Sequence, residues 1–249
     1  MEVLGPPSSS LAHAASAETE NAKLELGGPR GWHSRGYVPH LDVAGVLQSV
    51  TFRLADSLPQ EKLRQLEREL EGLGDDVRDR RRRVQIESWL DAGMGCCALR
   101  HPAVAEMVEK ALLHFDGERY RLICWTIMPN HVHLLIEPLI DLGRIVQSWK
   151  SFTARWALER NAVLGLSIPG PHFWMRDFWD RYIRSDAHLK AVVEYIRQNP
   201  VKAGLVQAPE QWHWSSAWRL GPPSSSLACS VRGEHECQAG AWRSQEASF

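Results

Sequence analysis

The centre of the chain alternates between two hydrophobic periods, and the order in which they occur predicts a fold. Val50-Thr51-Phe52-Arg53-Leu54 is a β-rich run, after which Pro59 opens a charged helical region reaching about Leu90, with Leu63, Leu66, Leu70 and Leu73 at helical spacing. The chain restarts after Gly93 and Gly95. His101 to Phe115 carries Pro102 in its first turn and Val104, Met107, Val108, Ala111 and Leu112 on one side, the pattern of an amphipathic helix, and Asp116-Gly117 stops it. Tyr120 to Ile127 and His131 to Ile136 read as strands joined through Met128-Pro129-Asn130, a hairpin by its turn residues. A second helix runs from Leu142 to Arg160, and a strand follows from about Phe178 to Arg184. Asp186 then caps a last helix that Pro200 ends. Strand, helix, hairpin, helix, strand, helix is the order of an α+β ferredoxin-like sandwich with a central antiparallel sheet. The helical region at about 59–92 becomes an insertion after the first strand.

Composition sets the limits around this centre. Residues 1–30 are rich in Ser, Ala, Gly and Pro without a sustained period and are expected to be disordered, as is the tail at 219–249. The two ends share an identical nonapeptide, Leu4 to Ala12 and Leu220 to Ala228, whose order reads as a repeat in the coding DNA translated twice. Residues 31–218 then form the working domain, and a 249-residue chain that is 44% hydrophobic has material for its core. No run approaches 18 apolar residues and no basic segment with an apolar stretch opens the chain, so no membrane association is expected and a cytoplasmic location is. The five cysteines lack the spacing of a disulfide framework or a paired zinc site. A formal net charge of −1 does not by itself favour nucleic acid, but Arg78-Asp79-Arg80-Arg81-Arg82-Arg83 concentrates positive charge. That run suits phosphate neutralisation and equally suits a solvated helix face.

His131 and His133 stand two apart on a predicted strand, so both imidazoles project from one face at roughly 7 Å Cα spacing, close enough to hold one cation. A single buried histidine is usually a hydrogen-bonded core residue; a pair on one strand face is a sharper signal. On the last helix Tyr195 and Asn199 are four apart and share a face, about 6 Å along the axis, a phenol beside an amide oxygen able to ligate a metal. Gln198 lies roughly a hundred degrees around the helix and is the weaker ligand. Packing this face over the histidine strand would join a metal site to a nucleophile, an arrangement suited to phosphoryl chemistry. Tyr182 competes as nucleophile but lacks a ligand at the following turn. Several of the eleven tryptophans, Trp149, Trp156, Trp174 and Trp179 among them, fall where stacking on single-stranded bases or core packing would use them, core packing being the commoner.

His131-Val132-His133 resembles the His-hydrophobic-His motif of single-tyrosine DNA transposases. The run from Tyr195 through Asn199-Pro200 to Val206 closely resembles the nucleophile helix of their REP-associated branch. Gly31 to Tyr37 with Pro39-His40, and Trp212 to Ala217, are also similar to segments that branch carries near its ends. The resemblance implies a ferredoxin-like fold, a substrate of single-stranded or hairpin-forming repeat DNA, and a divalent ion, Mg²⁺ or Mn²⁺, held by His131, His133 and Asn199. It implies Tyr195 as the nucleophile of a 5′-phosphotyrosine intermediate, and a monomer or homodimer at work on nucleoid DNA. Arg80, Arg81, Arg82, Arg83, Arg197 and Lys202 are candidate phosphate contacts. Two departures stand out: related insertion-sequence enzymes carry Gln as third ligand where the match here gives Asn199, and the terminal extensions lie outside the pattern. A metallohydrolase that uses water, and a hairpin-binding protein of the same fold without cleavage, are the alternative readings.

Overall fold

A computed structural model describes residues 32–34, 39–41 and 45–220. The expectations for residues 1–30 and for the nonapeptide repeat lie outside the described residues, save Leu220 at the end of the last helix. The chain divides into two units at Asp42 and Val43. The first contains β1 (Trp32–Ser34) and β2 (Pro39–Leu41), which pair antiparallel with His33 opposite His40.

The second unit holds β3 (Gln48–Arg53), α1 (Gln60–Glu69), α2 (Asp75–Asp91), α3 (Pro102–His114), β4 (Tyr120–Ile127) and β5 (His131–Pro138). It continues through α4 (Leu142–Glu159), the short α5 (Asn161–Leu164), β6 (Trp179–Tyr182), α6 (Asp186–Lys202) and α7 (Ser216–Leu220). The four strands β3 to β6 lie in the order β4-β5-β3-β6 with every neighbouring pair antiparallel. Hairpin strands on one side and the first and last strands on the other give the ferredoxin-like order that the periodicity predicts. Local chemistry fixes the helix starts: Asp141 accepts the amide of Arg144 at 2.7 Å, and Pro102 occupies the first turn of α3.

Alternation along the strands divides the sheet into two faces. Val50, Phe52, Trp125, Ile127, Val132, Leu134 and Ile136 point to one side, where α3 and α4 cover them with Val104, Val108, Leu112, Ile145, Val146 and Trp149 to form the main core. Trp149 and Trp174 belong to that core, whereas Trp179 packs with the leucines of the insertion. Ser49, Thr51, Arg53, Thr126, His131 and His133 point to the other side, which α6 crosses with Ile196 seated on Cys124 and Leu135.

The charged helical region consists of two helices, α1 and α2, because Leu70 to Gly74 breaks it and Gly72 takes a φ of +81° that a side chain disfavours. Two expectations change. Pro200 does not end α6, which continues to Lys202; the proline removes one amide, and the chain compensates downstream where Ala203 donates to Asn199 and Leu205 to Pro200 itself. The cap of α6 is Ser185, whose hydroxyl accepts from the His188 amide at 3.2 Å, with Asp186 as the first helical residue.

Candidate active site

His131 and His133 leave β5 on the face turned away from the main core, and their rings meet edge to face with centroids 4.5 Å apart. Neither has solvent around it: His131 is fully buried and His133 is 4% exposed. Burial, reinforced for His131 by its neighbour, drives both imidazoles well below the ordinary histidine range; His133, which also faces the Lys202 ammonium, falls to about 3. Both rings are therefore neutral at physiological pH, the state in which a nitrogen can donate its lone pair.

Their second nitrogens are tied down. The Asn130 amide donates from Nδ2 to the Met94 carbonyl at 2.9 Å, which turns its oxygen toward His131 Nδ1 at 2.7 Å. An amide oxygen only accepts, so His131 carries its proton on Nδ1 and Nε2 holds a free lone pair. That Nε2 is buried without a partner. Thr51, directly across the ladder from His133, places its hydroxyl 2.7 Å from His133 Nδ1. The loop behind Asn130 depends on Gly95, where φ is +85° and a Cβ would stand 2.7 Å from the Asp56 carbonyl oxygen. Asp56 in turn takes the Cys96 amide at 2.6 Å.

Helix α6 brings the other half. The Tyr195 ring lies 5.3 Å from that of His133, centroid to centroid, and the Lys202 ammonium sits 4.7 Å from the phenol ring centroid. Asn199, one turn beyond Tyr195, is fully buried; its Nδ2 donates to the Tyr195 carbonyl at 3.1 Å, and its Oδ1 has no partner. An unsatisfied imidazole nitrogen and an unsatisfied amide oxygen, both buried, are the atoms a small hard cation would satisfy, so the residues fit such an ion. No group of three His, Cys, Asp or Glu side chains able to hold a metal occurs among the described residues, and the site rests on two imidazoles and an amide. Gln198 turns outward and donates to Glu194 at 2.9 Å.

The inserted α2 reaches this site, which the spacing of its residues did not announce. Ile86 and Leu90 pack with Leu58, Leu66 and Leu70 and against Trp179, which shares the histidine face of the sheet through its pairing with Thr51. One turn apart on α2, Glu87 and Asp91 lie where burial first raises both carboxyls and the Lys202 charge lowers them, and Asp91 keeps one carboxylate oxygen buried without a partner. Burial, and then the Glu87 charge, hold the phenol above its ordinary range.

The remaining candidates are scattered. Arg82 is bonded to Glu67 at 2.6 Å within the helical hairpin, and Arg80 and Arg81 line a cavity of about 680 Å³ between α1 and α2. Burial, then the charges of Arg83 and Arg184, lowers the Arg181 guanidinium below its ordinary range, a sign of positive charge gathering beside β6. Arg197 is 8% exposed and held by Glu210 at 2.6 Å, so its guanidinium ties α6 to the following turn rather than facing solvent. Tyr182 pairs with Gln48, three residues from Thr51 along β3, and therefore lies on the sheet face opposite the histidines. Thr51, Asn130, Glu87 and Asp91 escaped the sequence reading. Of these, only the i, i+4, i+8 series Arg83, Glu87 and Asp91 left a pattern to find.

Paired neutral imidazoles on an inner strand thus face a tyrosine and an amide on a helix that crosses a ferredoxin-like sheet, a set of donors able to hold a cation beside a phenol. Residues 100–199, a segment that contains both histidines, Tyr195 and Asn199, match the family described as "Transposase IS200 like". A Haemophilus influenzae protein bearing the REP-associated tyrosine transposase name is 32% identical over 111 residues, 40% of this chain and 60% of its own length. The REP-associated tyrosine transposase of Escherichia coli is 23% identical over 116 residues, 46% of this chain and 65% of its own. The chain thus spans less than two thirds of either relative. A solved structure of a REP-associated tyrosine transposase bound to a REP hairpin superimposes with a TM-score of 0.45 at 18% identity, covering 75% of this chain and 84% of that one. None of the described helices is long and apolar enough to cross a membrane.

Proposed function

We propose that the chain cuts and rejoins single-stranded DNA of hairpin-forming repeats, through residues 31–218, with Tyr195 as the nucleophile. The observation that carries this reading is the convergence of a lone-pair nitrogen on His131, the unpartnered Asn199 oxygen and the Tyr195 phenol on one buried face of the sheet. The repeat substrate follows the names of the two bacterial relatives and the resemblance of the Tyr195 helix.

His131, His133 and Asn199 would hold Mg²⁺ or Mn²⁺. Such an ion supplies positive charge to the non-bridging oxygens of a phosphodiester. Tyr195 attacks phosphorus, the bond to the 3′-oxygen breaks, and a 5′-phosphotyrosine remains with a free 3′-hydroxyl. That hydroxyl reverses the step or, replaced by the end of another strand, joins it. Lys202, exposed at the rim with its ammonium over the phenol, binds a phosphate of the strand, as do Arg80, Arg81 and Arg83 along α2. Asn130 keeps the His131 imidazole in one tautomer, and Thr51 holds the orientation of the His133 ring.

Labelled single-stranded hairpin DNA incubated with the protein and Mn²⁺ should give a band that survives SDS, lost with EDTA and lost in Tyr195→Phe. A Tyr195→Phe chain that still cleaves would point to water as nucleophile. Binding without a covalent band under Mg²⁺ or Mn²⁺ would contradict cleavage altogether.

A further inference from the structure

Two arginines of α2 are taken up within the protein: Arg78 and Arg82 meet the Glu67 carboxylate at 3.4 and 2.6 Å. Arg83, the next residue along, is exposed and meets no carboxylate in an ion pair among the described residues, and the same holds for Arg181 on β6 and Arg184 just beyond it. Resting on the reading of Tyr195 as nucleophile, we propose that Arg83, Arg181 and Arg184 form a phosphate track at the β6 margin of the sheet, which holds the single strand flanking the phosphodiester under attack.

Register fixes where the track lies. His133, Thr51 and Trp179 stand in one row across β5, β3 and β6, and β6 is the outermost of these strands. Side chains two apart on a strand share a face, so Arg181 projects beside Trp179 from the same face as the histidines. It stands two strand spacings, roughly 10 Å, across the sheet from His133 and one pleat along it. Helix α2 reaches this margin because Ile86 and Leu90 pack in one cluster with Trp179, and Arg83 lies one turn before Ile86 on the docked side of the helix. Arg184 follows two residues beyond β6 and places its guanidinium 4.9 Å from the ring centroid of Tyr182, a side chain of the opposite face. The three charges therefore lead from the histidine face round the margin of the sheet.

Guanidiniums gathered without carboxylates repel one another, and Arg181 shows it: burial, then Arg83 and Arg184, hold it below its ordinary range. A polyanion relieves that repulsion, and each planar fork matches two oxygens of one phosphate. A DNA strand carries a phosphate at every nucleotide, so arginines spaced along one path bind the same chain. Such contacts read no sequence; they set where the strand lies on the protein. The inner end of the track opens toward the tyrosine, since Glu87 feels both Arg83 and the Lys202 ammonium that sits 4.7 Å from the Tyr195 ring centroid.

Fluorescence anisotropy in EDTA over a series of KCl concentrations tests the track. It compares a labelled hairpin bearing a single-stranded flank with the bare hairpin, for the wild-type chain, the triple variant Arg83→Gln, Arg181→Gln, Arg184→Gln, and Arg155→Gln on the exposed side of α4 as control. These side chains are all exposed, so the melting curves should coincide. The triple variant should bind the flanked hairpin about 10- to 100-fold more weakly, and its log–log salt dependence should be shallower by about 2, the share of three single-strand phosphate contacts. Its affinity for the bare hairpin should stay within about twofold of the wild type, and Arg155→Gln should match the wild type on both DNAs. With Mn²⁺, the concentration of flanked hairpin giving half-maximal covalent adduct should rise in the triple variant by the same factor. Wild-type affinity and salt slope in the triple variant overturn the track while leaving Tyr195 as nucleophile. An equal loss on the bare hairpin also overturns it, by putting these arginines on the stem. A wild-type chain that binds the flanked hairpin and forms no adduct with Mn²⁺ overturns Tyr195 as nucleophile, and with it the reading on which the track rests.

Discussion

The two faces of the β3–β6 sheet are built from the same strands and differ in almost everything else. On the α3 and α4 side, Val132, Leu134 and Ile136 of β5 are fully buried among aliphatic and aromatic side chains, where packing alone is satisfied. On the α6 side, His131 and His133 are as deeply buried, but among polar groups: Thr51, Asn130, Arg53 and Asn199. Arg53 is held down to about 10 by burial and then by Arg82, and an imidazole nitrogen and an amide oxygen remain unsatisfied. Unpartnered buried polar atoms destabilise a fold by about 1–3 kcal/mol each, so the apolar face must supply the stability that the polar face gives up. One strand thus separates folding from chemistry by residue parity, and changes on its two sides should have separable consequences.

That separation can be broken by direct substitution. The double variant His131→Ala with His133→Ala should lose covalent adduct formation completely while melting within a few degrees of the wild type, as read by an SDS gel beside a thermal melt. Leu134→Ala, one residue along the same strand, should do the reverse: it should lose about 3 kcal/mol in a urea titration and, while folded, still form adduct. Asn130→Ala removes the acceptor that sets the His131 tautomer and should weaken Mn²⁺ binding roughly 10- to 100-fold by calorimetry with a far smaller effect on the urea midpoint. Phe152→Ser, on a solvent-facing position of α4 that is 57% exposed, should change stability by less than about 0.5 kcal/mol and leave adduct formation alone. Loss of stability in the first variant comparable to that in the second would erase the division between the faces.

The sheet and its helices were legible because each element carries its own period: Val104, Val108 and Leu112 repeat at one helical spacing, and Val132, Leu134 and Ile136 alternate with the histidines. Tyr195 and Asn199 were legible for the same reason, being one turn apart on a single helix. What failed to show was whatever depends on two segments meeting. Thr51 supports His133 only through the register between β3 and β5. Asn130 reads as a turn residue until the Met94 carbonyl fixes which way its amide points. Arg197 reads as a surface cation at the end of a helix until Glu210 folds back on it. The helical insertion seemed separate from the chemistry because nothing local says that Ile86 and Leu90 dock it beside Trp179.

The sharpest division between the faces is between two tyrosines, Tyr195 on α6 beside His133 and Tyr182 on β6 pointing the other way. Digestion of the covalent protein–DNA adduct followed by mass spectrometry of the nucleotide-bearing peptide decides between them. The account predicts the phosphotyrosine at Tyr195 alone; a phosphotyrosine at Tyr182 would contradict it.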